Sequence, residues 1–319
     1  MIFQEIYNLA VKMGIESDLR GKAKVQKYLK RVKEKYEKFP VDEKEEFDKE
    51  KLTNPFSDTR ILIGDPKQKI KTIYVGIDID SAELMIAKYL SEESGKKIDL
   101  ALSHHPEGKS LAALDEVMHL QAEILADYGV PINIAEKLMK PRIDEVARGV
   151  SASNHNKAVD AARLLKVNFM CVHTPADNLV ARFLKNLIEK KKPETVGEII
   201  KILKEIPEYK IAVGLNAGPK IFVGSPDNYV GKIAITEITG GTSGSSQMYE
   251  KMSQAGIGTI IGMHMKEEYK KQAEAANINV VVAGHISSDS LGMNVFLDEL
   301  EKKGVEIIPA AGLIRIRRK

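Results

Sequence analysis

Three short segments of the sequence place histidine and carboxylate side chains directly after predicted strands. The first is His104-His105-Pro106, which follows the apolar stretch Asp99–Ser103. Pro106 restricts His105 to an extended conformation, and a turn at this point can direct both imidazoles into one cavity. Neutral imidazole binds zinc, iron, manganese and nickel ions well. A pair of surface histidines is the alternative interpretation.

The other two segments share one spacing, a histidine followed four residues later by an aspartate. His173 follows the stretch Phe169–Val172 and precedes Asp177, and His285 precedes Asp289 after another apolar stretch. Each carboxylate also suits a helix start, where it would cap the helix or interact with its dipole. Because open α/β sheets place ligands at the carboxyl ends of their strands, the three segments together predict a shared metal centre.

Two further features lie near predicted strand ends. His264 follows the strand Thr259–Ile261 and is a candidate active-site group, whereas His119 and His155 are interpreted as structural. The loop after Ile233–Ile238 is rich in glycine and serine, and its candidate ligand-binding residues are Gly240, Gly241, Gly244 and Ser245. Such a loop before a helix can bind a phosphate, although it lacks the P-loop ending. A tight strand-to-helix turn explains it equally well.

From residue 60 onward, short apolar strands alternate with amphipathic helices. The other predicted strands are Ile61–Ile63, Thr72–Ile79, Pro131–Ala135, Ile211–Leu215, Ile221–Val223, Val280–Ala283 and a last strand, Val305–Ile316. Near-continuous apolar strands separated by helices predict an α/β fold whose mostly parallel sheets are flanked by helices. The charged segment Lys190–Pro207 is a plausible domain junction. Because His285 and Asp289 must return to the site of His104, the first domain is predicted to be discontinuous.

Length and composition exclude several classes of protein. The chain has 319 residues, of which 43% are hydrophobic and 29% charged, as in globular domains. A single cysteine excludes a disulfide scaffold and a cysteine-based metal site. No apolar run reaches the length of a membrane span, and the N-terminus is not typical of a signal peptide. We therefore expect a cytoplasmic protein with no membrane partner.

The first 55 residues differ from the rest of the chain. Nine basic and two acidic residues lie between Arg20 and Lys38, around one apolar helical face. In one interpretation this helix contacts phosphates or a membrane surface. In the other, which we favour because the acid-rich segment that follows offsets its charge, it packs on the main body as a solvated helix. The net charge of +3 requires no nucleic-acid partner.

From about Ser57 onward, the sequence resembles the dinuclear-metal proteins related to NGG-one-interacting factor three, also known as GTP cyclohydrolase type 2-like proteins. The resemblance rests on ordered motifs: Leu62-Ile63-Gly64-Asp65, Val75–Asp78, His104-His105-Pro106, His173-Thr174-x-x-Asp177, the Gly240–Ser246 loop and Gly284-His285. It differs at Asp289, where the family has glutamate, and at Gly262–Glu267, where the family has a Gly-Asp-x-x-His-His stretch.

The resemblance implies a site for two divalent ions, with zinc, manganese or iron as candidates. Its ligands would be His104, His105, Asp177, His285 and Asp289, with Asp177 between the two ions. His173 would be a ligand or a proton shuttle. The catalytic role expected for His264 rests on its position after a strand and not on the resemblance. The family also implies two α/β domains and a hexameric ring. The domains predicted here are residues 56–190 plus 285–319 and residues 191–284, preceded by a helical extension, residues 1–55.

Two functions follow from this interpretation. The first is a metal-dependent hydrolase that acts on a small molecule, such as a nucleotide, in the manner of a cyclohydrolase. The alternative is a non-catalytic, metal-binding regulatory oligomer that carries metal or docks protein partners through the basic helix. Nucleic acid is not expected as a partner, except through that helix.

Overall fold

The computed structural model describes residues 1–93 and 95–318 of the chain. Its strands are short and belong to two sheets. In chain order they are β1 (Arg60–Ile63), β2 (Thr72–Gly76), β3 (Leu100–Ser103), β4 (Asn168–Cys171), β5 (Lys220–Val223), β6 (Lys232–Glu237), β7 (Ile257–Gly262), β8 (Asn279–Val282) and β9 (Glu306–Pro309).

The two sheets repeat one arrangement of four strands. The first has the order β1-β4-β3-β2-β9, and the second has the order β5-β8-β7-β6. Strand β1 pairs antiparallel with β4, and β5 pairs antiparallel with β8 in the same way. The other neighbouring strands of both sheets are parallel. The prediction of an α/β fold with mostly parallel sheets is confirmed. The sequence analysis did not recognise this repeat, although Gly64-Asp65-Pro66 after β1 corresponds to Gly224-Ser225-Pro226 after β5.

Helices flank both sheets. They are α1 (Phe3–Ser17), α2 (Lys22–Glu37), α3 (Val41–Glu46), α4 (Ser81–Glu93), α5 (Gly108–Ala112), α6 (Leu114–Val117), α7 (His119–Asp127), α8 (Ile132–Ser151), α9 (Lys157–Leu165), α10 (Thr174–Lys191), α11 (Val196–Glu205), α12 (Pro207–Gly214), α13 (Met248–Gln254), α14 (Glu267–Ala275) and α15 (His285–Glu301). Among the described helices, none is long and apolar enough to cross a bilayer.

Helices α10 and α15 contribute apolar side chains to the cores of both sheets. They cross closely near their N-terminal ends, where a Cβ on Gly292 would lie 2.2 Å from the carbonyl oxygen of Ala176. No side chain fits at this crossing, so glycine is required for the close approach. The crossing brings together the two helix starts that carry Asp177 and Asp289.

Several segments pack differently from the predicted domain division. Helix α1 belongs to the core of the first sheet, with Phe3, Ile6 and Ala10 buried, so part of the N-terminal region is more than an appended extension. Helices α6 to α8, which the division assigns to the first domain, place their apolar faces in a core of the second sheet. The apolar residues of these helices pack on the second sheet, which lies far away along the chain. Local sequence patterns predict the helices but do not indicate which sheet they contact.

Two predicted strands are wrong. Pro131–Ala135 forms the start of α8, and most of Ile211–Leu215 lies in α12, which has a proline in its first turn. Short apolar runs do not separate a strand from a buried helix by periodicity alone, and proline is tolerated where a helix begins. The predicted junction Lys190–Pro207 contains α11, and the last strand is limited to Glu306–Pro309.

Candidate metal centre

The turn after β3 directs two histidines into the space between the sheets. His104 is fully buried, and its Nδ1 lies 3.0 Å from the carbonyl oxygen of Val172. Because a carbonyl only accepts hydrogen bonds, this Nδ1 carries the proton and leaves the Nε2 lone pair free. His105 is partly exposed, and its Nδ1 lies 2.7 Å from a carboxylate oxygen of Asp78. Both rings therefore direct Nε2 toward the same point.

The starts of α10 and α15 bring two buried carboxylates to these imidazoles. The Nε2 of His104 lies 3.5 Å from Asp177 Oδ1 and 3.6 Å from Asp289 Oδ1. The other oxygen of Asp289, Oδ2, lies 3.5 Å from Nε2 of His105 and 3.5 Å from Nε2 of His285. Asp289 thus lies between two groups of histidines and directs a different oxygen to each.

Four atoms at this point are buried without a hydrogen-bond partner: His104 Nε2, Asp177 Oδ1 and both carboxylate oxygens of Asp289. Leaving a buried polar group unpaired costs about 1–3 kcal/mol. The distances from His104 Nε2 to the carboxylate oxygens of Asp177 and Asp289 are 3.5 and 3.6 Å. Two ligand atoms of a tetrahedral ion with bonds of about 2.1 Å stand roughly 3.4 Å apart, which is close to these distances. The donor atoms are imidazole nitrogens and carboxylate oxygens, which suit zinc, manganese and iron.

Two groups of donors fit one ion each, and they share a residue. The atoms of His104, Asp177 and Asp289 form one group, and those of His105, His285 and Asp289 form the other. A third group joins His104, His105 and His173. All five residues predicted as ligands are therefore brought together, although Asp289, rather than Asp177, is common to the first two groups.

The electrostatics of the cluster are dominated by burial and by the two carboxylates. Burial raises the pKa of Asp177 well above its usual value. Burial also disfavours the charged form of Asp289, but the neighbouring histidines outweigh it and lower its pKa. Burial opposes protonation of His105, yet the neighbouring carboxylates of Asp289 and Asp78 raise its pKa to about 10. Burial lowers the pKa of His285 to about 4.

His173 is held by a residue that the sequence analysis missed. Its Nδ1 lies 2.9 Å from Asp58 Oδ2, which also accepts a hydrogen bond of 2.6 Å from the hydroxyl of Thr174. The opposite nitrogen, Nε2, lies 3.9 Å from Asp177 Oδ2. Asp58 precedes β1, and only the antiparallel pairing of β1 with β4 brings this position to the carboxyl ends of the other strands. A prediction of that pairing would have been needed to find it.

A small cavity of about 30 Å³ lies beside the cluster. His173, Asp177 and His285 line one side of it. The opposite wall includes Glu237, Gly241, Thr242, Ser243 and His264. Glu237 was also missed by the sequence analysis, since a single acid at the end of a strand carries no distinctive pattern. Burial raises its pKa to about 7.

His264 lies next to the cluster, as predicted for a candidate active-site group. Its Nδ1 is 3.2 Å from the Ser243 hydroxyl, and its ring centroid is 4.9 Å from that of His285. Burial lowers its pKa. By contrast, His119 is exposed, and His155 Nε2 lies 2.7 Å from the carbonyl oxygen of Val150. Five of the seven histidines thus belong to one continuous set of ring contacts.

The glycine-rich loop is positioned by packing against α7. The Gln121 side chain donates hydrogen bonds to the carbonyl oxygens of Gly240 and Thr242, at 2.8 and 2.7 Å. A Cβ on Gly240 or on Gly244 would lie 2.6 Å from this same side chain. Gly241 lines the cavity, whereas the Ser245 hydroxyl accepts a hydrogen bond from the backbone of Gln247. The close approach to Gln121 therefore explains Gly240 and Gly244.

The structure combines two α/β sheets of repeated topology with a His/Asp cluster at the carboxyl ends of their parallel strands. This combination of fold and site can be compared with those of known proteins. No family model matches the sequence, and no curated protein matches it. The structure is similar to that of a NIF3 superfamily protein from Sphaerobacter thermophilus, at 27% identity, a TM-score of 0.69, and coverage of 81% of this chain and 92% of that one.

Two further solved structures are more distant. Reduced HcgD from Methanocaldococcus jannaschii is 15% identical, with a TM-score of 0.48 over 84% of this chain and 95% of that one. A Bacillus cereus protein related to NIF3 is 11% identical, with a TM-score of 0.42 over 79% and 90%. The first likeness bears out the resemblance found in the sequence, because the fold is similar to that of a NIF3 superfamily protein.

Proposed function

We propose that the cluster binds two divalent cations and that the protein is a metal-dependent hydrolase. The main support for this proposal is the position of Asp289. Its carboxylate is fully buried, with one oxygen facing His104 and the other facing His105 and His285. His104 and Asp177 would complete the first ion, and His105 and His285 the second. Asp289 is shorter than the glutamate expected from the family resemblance. It still faces both groups of histidines, because the crossing of α10 and α15 brings the start of α15 close to them.

The fit of the cluster to cations rests on its buried, unpaired atoms. A hydrogen-bonded network would place donors and acceptors within about 3.2 Å. These atoms instead stand 3.5–3.6 Å apart. Bound divalent cations would act as Lewis acids and lower the pKa of a water molecule to near neutrality. Zinc, manganese and iron suit this donor set equally, so the metal is left to measurement.

The residues around the cavity would supply binding and proton transfer. Asp58 accepts from His173 Nδ1 and so leaves its Nε2 free to accept a proton at the cavity. On the opposite wall, Thr242 and the Ser243–His264 pair would hold the substrate. The cavity admits about one water molecule, so a substrate would present only its reacting group there. A nucleotide substrate, with the glycine-rich loop near its phosphates, is proposed from the family resemblance.

The test is a metal analysis followed by an activity panel. Metal-replete protein should contain close to two divalent ions per chain by elemental analysis, and His105→Ala should lose about one of them. The loaded protein should release formate or phosphate from members of a nucleotide panel. His119→Ala is the matched control, because His119 is exposed and lies outside the cluster.

The two parts of the proposal fail separately. Fewer than about one ion per chain after metal-replete purification would overturn the metal centre. Full metal content with the same background rate in wild type and His105→Ala across the panel would overturn only the hydrolase, and would favour a metal-binding protein without catalysis.

A further inference from the structure

Helix α2 presents a wide basic surface that the metal centre does not use. Seven of its 16 residues are basic: Lys22, Lys24, Lys27, Lys30, Arg31, Lys33 and Lys35. Val25 is its one buried residue, and Tyr28, Leu29 and Val32 on the same side are half-buried. The apolar side of the helix therefore faces the protein, and the basic residues cover the remaining circumference.

The acid-rich segment that follows α2 does not neutralise this surface. The acid-rich segment that follows contributes Asp42, Glu43, Glu45 and Glu46, all in α3. Within the described residues, no ion pair of 4.0 Å or less joins any of these acids to α2. Lys24 pairs with Asp127 and Lys30 pairs with Glu34 at 3.8 Å, whereas Lys27, Arg31 and Lys33 make no ion pair in the described part of the chain. The charge offset expected from sequence is therefore absent at the level of contacts.

The spacing of the charges indicates the chemistry of the partner. A helix of 16 residues is about 24 Å long; its seven cations less Glu34 and Glu37 leave a net charge of +5, or about one positive charge per 4.8 Å. Double-stranded DNA carries one phosphate charge per about 1.7 Å of axis, so a short stretch of duplex can meet every cation on one side of the helix. We propose that the outward surface of α2 binds the phosphate backbone of double-stranded DNA without reading its sequence.

Two other partners fit this surface less well. A helix that lies in a membrane interface buries its own apolar side among the lipids, but the apolar side of α2 already packs on the protein. Protein–protein interfaces have apolar and aromatic centres and are depleted in lysine, whereas the exposed surface of α2 consists mainly of lysine. Phosphate contacts from lysine and arginine are the usual source of sequence-independent affinity for DNA.

The test measures binding of a fluorescent duplex of about 20 base pairs by anisotropy at several salt concentrations. We expect the variant Lys27→Gln, Arg31→Gln, Lys33→Gln to bind at least about tenfold more weakly than wild type. The slope of log K against log salt should fall by about 2–3, close to one for each phosphate that is no longer neutralised. The matched control is Lys201→Gln, Lys204→Gln, Lys210→Gln, which removes the same charge from exposed helical lysines and should change affinity less than about twofold.

Circular dichroism and metal content check that both variants are folded. Equal affinity of wild type and the α2 variant, or an equal decrease in the control, would overturn the proposal. Tighter binding to single-stranded DNA of the same sequence, to phosphatidylserine vesicles or to polyglutamate at equal charge concentration would also overturn it, in favour of that partner.

Discussion

Replacing Asp177 by asparagine should stabilise the metal-free protein and destabilise the metal-loaded one. In the metal-free protein, Asp177 Oδ1 is buried without a partner, 3.5 Å from the free Nε2 of His104. An asparagine amide is neutral and can donate a hydrogen bond to that nitrogen. The change removes a buried carboxylate and pairs a buried acceptor, and together these changes are worth about 1–3 kcal/mol.

The shift in melting temperature follows from the size of the chain. Unfolding entropy of about 2.1 cal/mol/K per residue gives about 0.7 kcal/mol/K for 319 residues. A gain of about 1–3 kcal/mol therefore raises Tm by about 1.5–4.5 °C in chelator. In wild type, a metal at about one hundred times its Kd adds about 2.7 kcal/mol per site, or about 4 °C, and the variant should lose this increment at one site.

The advantage of the asparagine should grow with pH. The pKa of Asp177 is raised in the folded state, so the protonated carboxyl stabilises the metal-free protein at low pH. That contribution is lost as pH rises through the folded-state pKa, and asparagine has no such loss. Differential scanning calorimetry in chelator at several pH values measures the trend.

Asp18→Asn is the matched control for this prediction. Asp18 is equally buried but pairs with Arg20 at 2.8 Å, so its loss should lower Tm with and without metal. The reasoning is refuted if Asp177→Asn behaves like this control, with a lower Tm in chelator and an unchanged metal-dependent increment.

Three further predictions concern the same protein. Zinc uptake at pH 7 should release protons, because His105 has a pKa of about 10 in the metal-free protein and must bind metal in its neutral form. Zinc affinity should therefore rise with pH between about 7 and 10. Calorimetry that gives equal heats in two buffers of different ionisation enthalpy would contradict this prediction. Asp58→Leu should weaken zinc binding about 10–100-fold and change the ring signals of His173 in NMR spectra, since the partner that orients the ring is removed; unchanged affinity and signals would exclude that role. Light scattering should give a hexamer, six copies of 35.4 kDa or about 212 kDa, and a monomer mass would overturn the oligomer predicted from the family resemblance.

The strand ends were predictable from sequence because their chemistry is local. His104-His105-Pro106 and the two histidine–aspartate pairs each follow a short apolar stretch, and parallel strands bring such ends to one edge. Asp78 obeys the same rule, since it follows the parallel strand β2 and contacts His105, but it was given no role from sequence. Asp58 was not predictable in this way. It reaches the site through an antiparallel edge strand, and that pairing between distant segments is not encoded by apolar periodicity.

The repeat of the two sheets explains why the site has two unlike walls. His105 lies two residues after the end of β3, and His264 lies two residues after the end of β7, which holds the same place in the second sheet. The position of His104 is held in the second half by Met263, which offers no nitrogen ligand. The turn after β3 therefore contributes adjacent imidazoles to the cluster, whereas the turn after β7 contributes a single imidazole that bonds to Ser243 instead. This difference leaves the second wall with Glu237 and hydroxyl groups, and under the proposed function this wall would select the substrate.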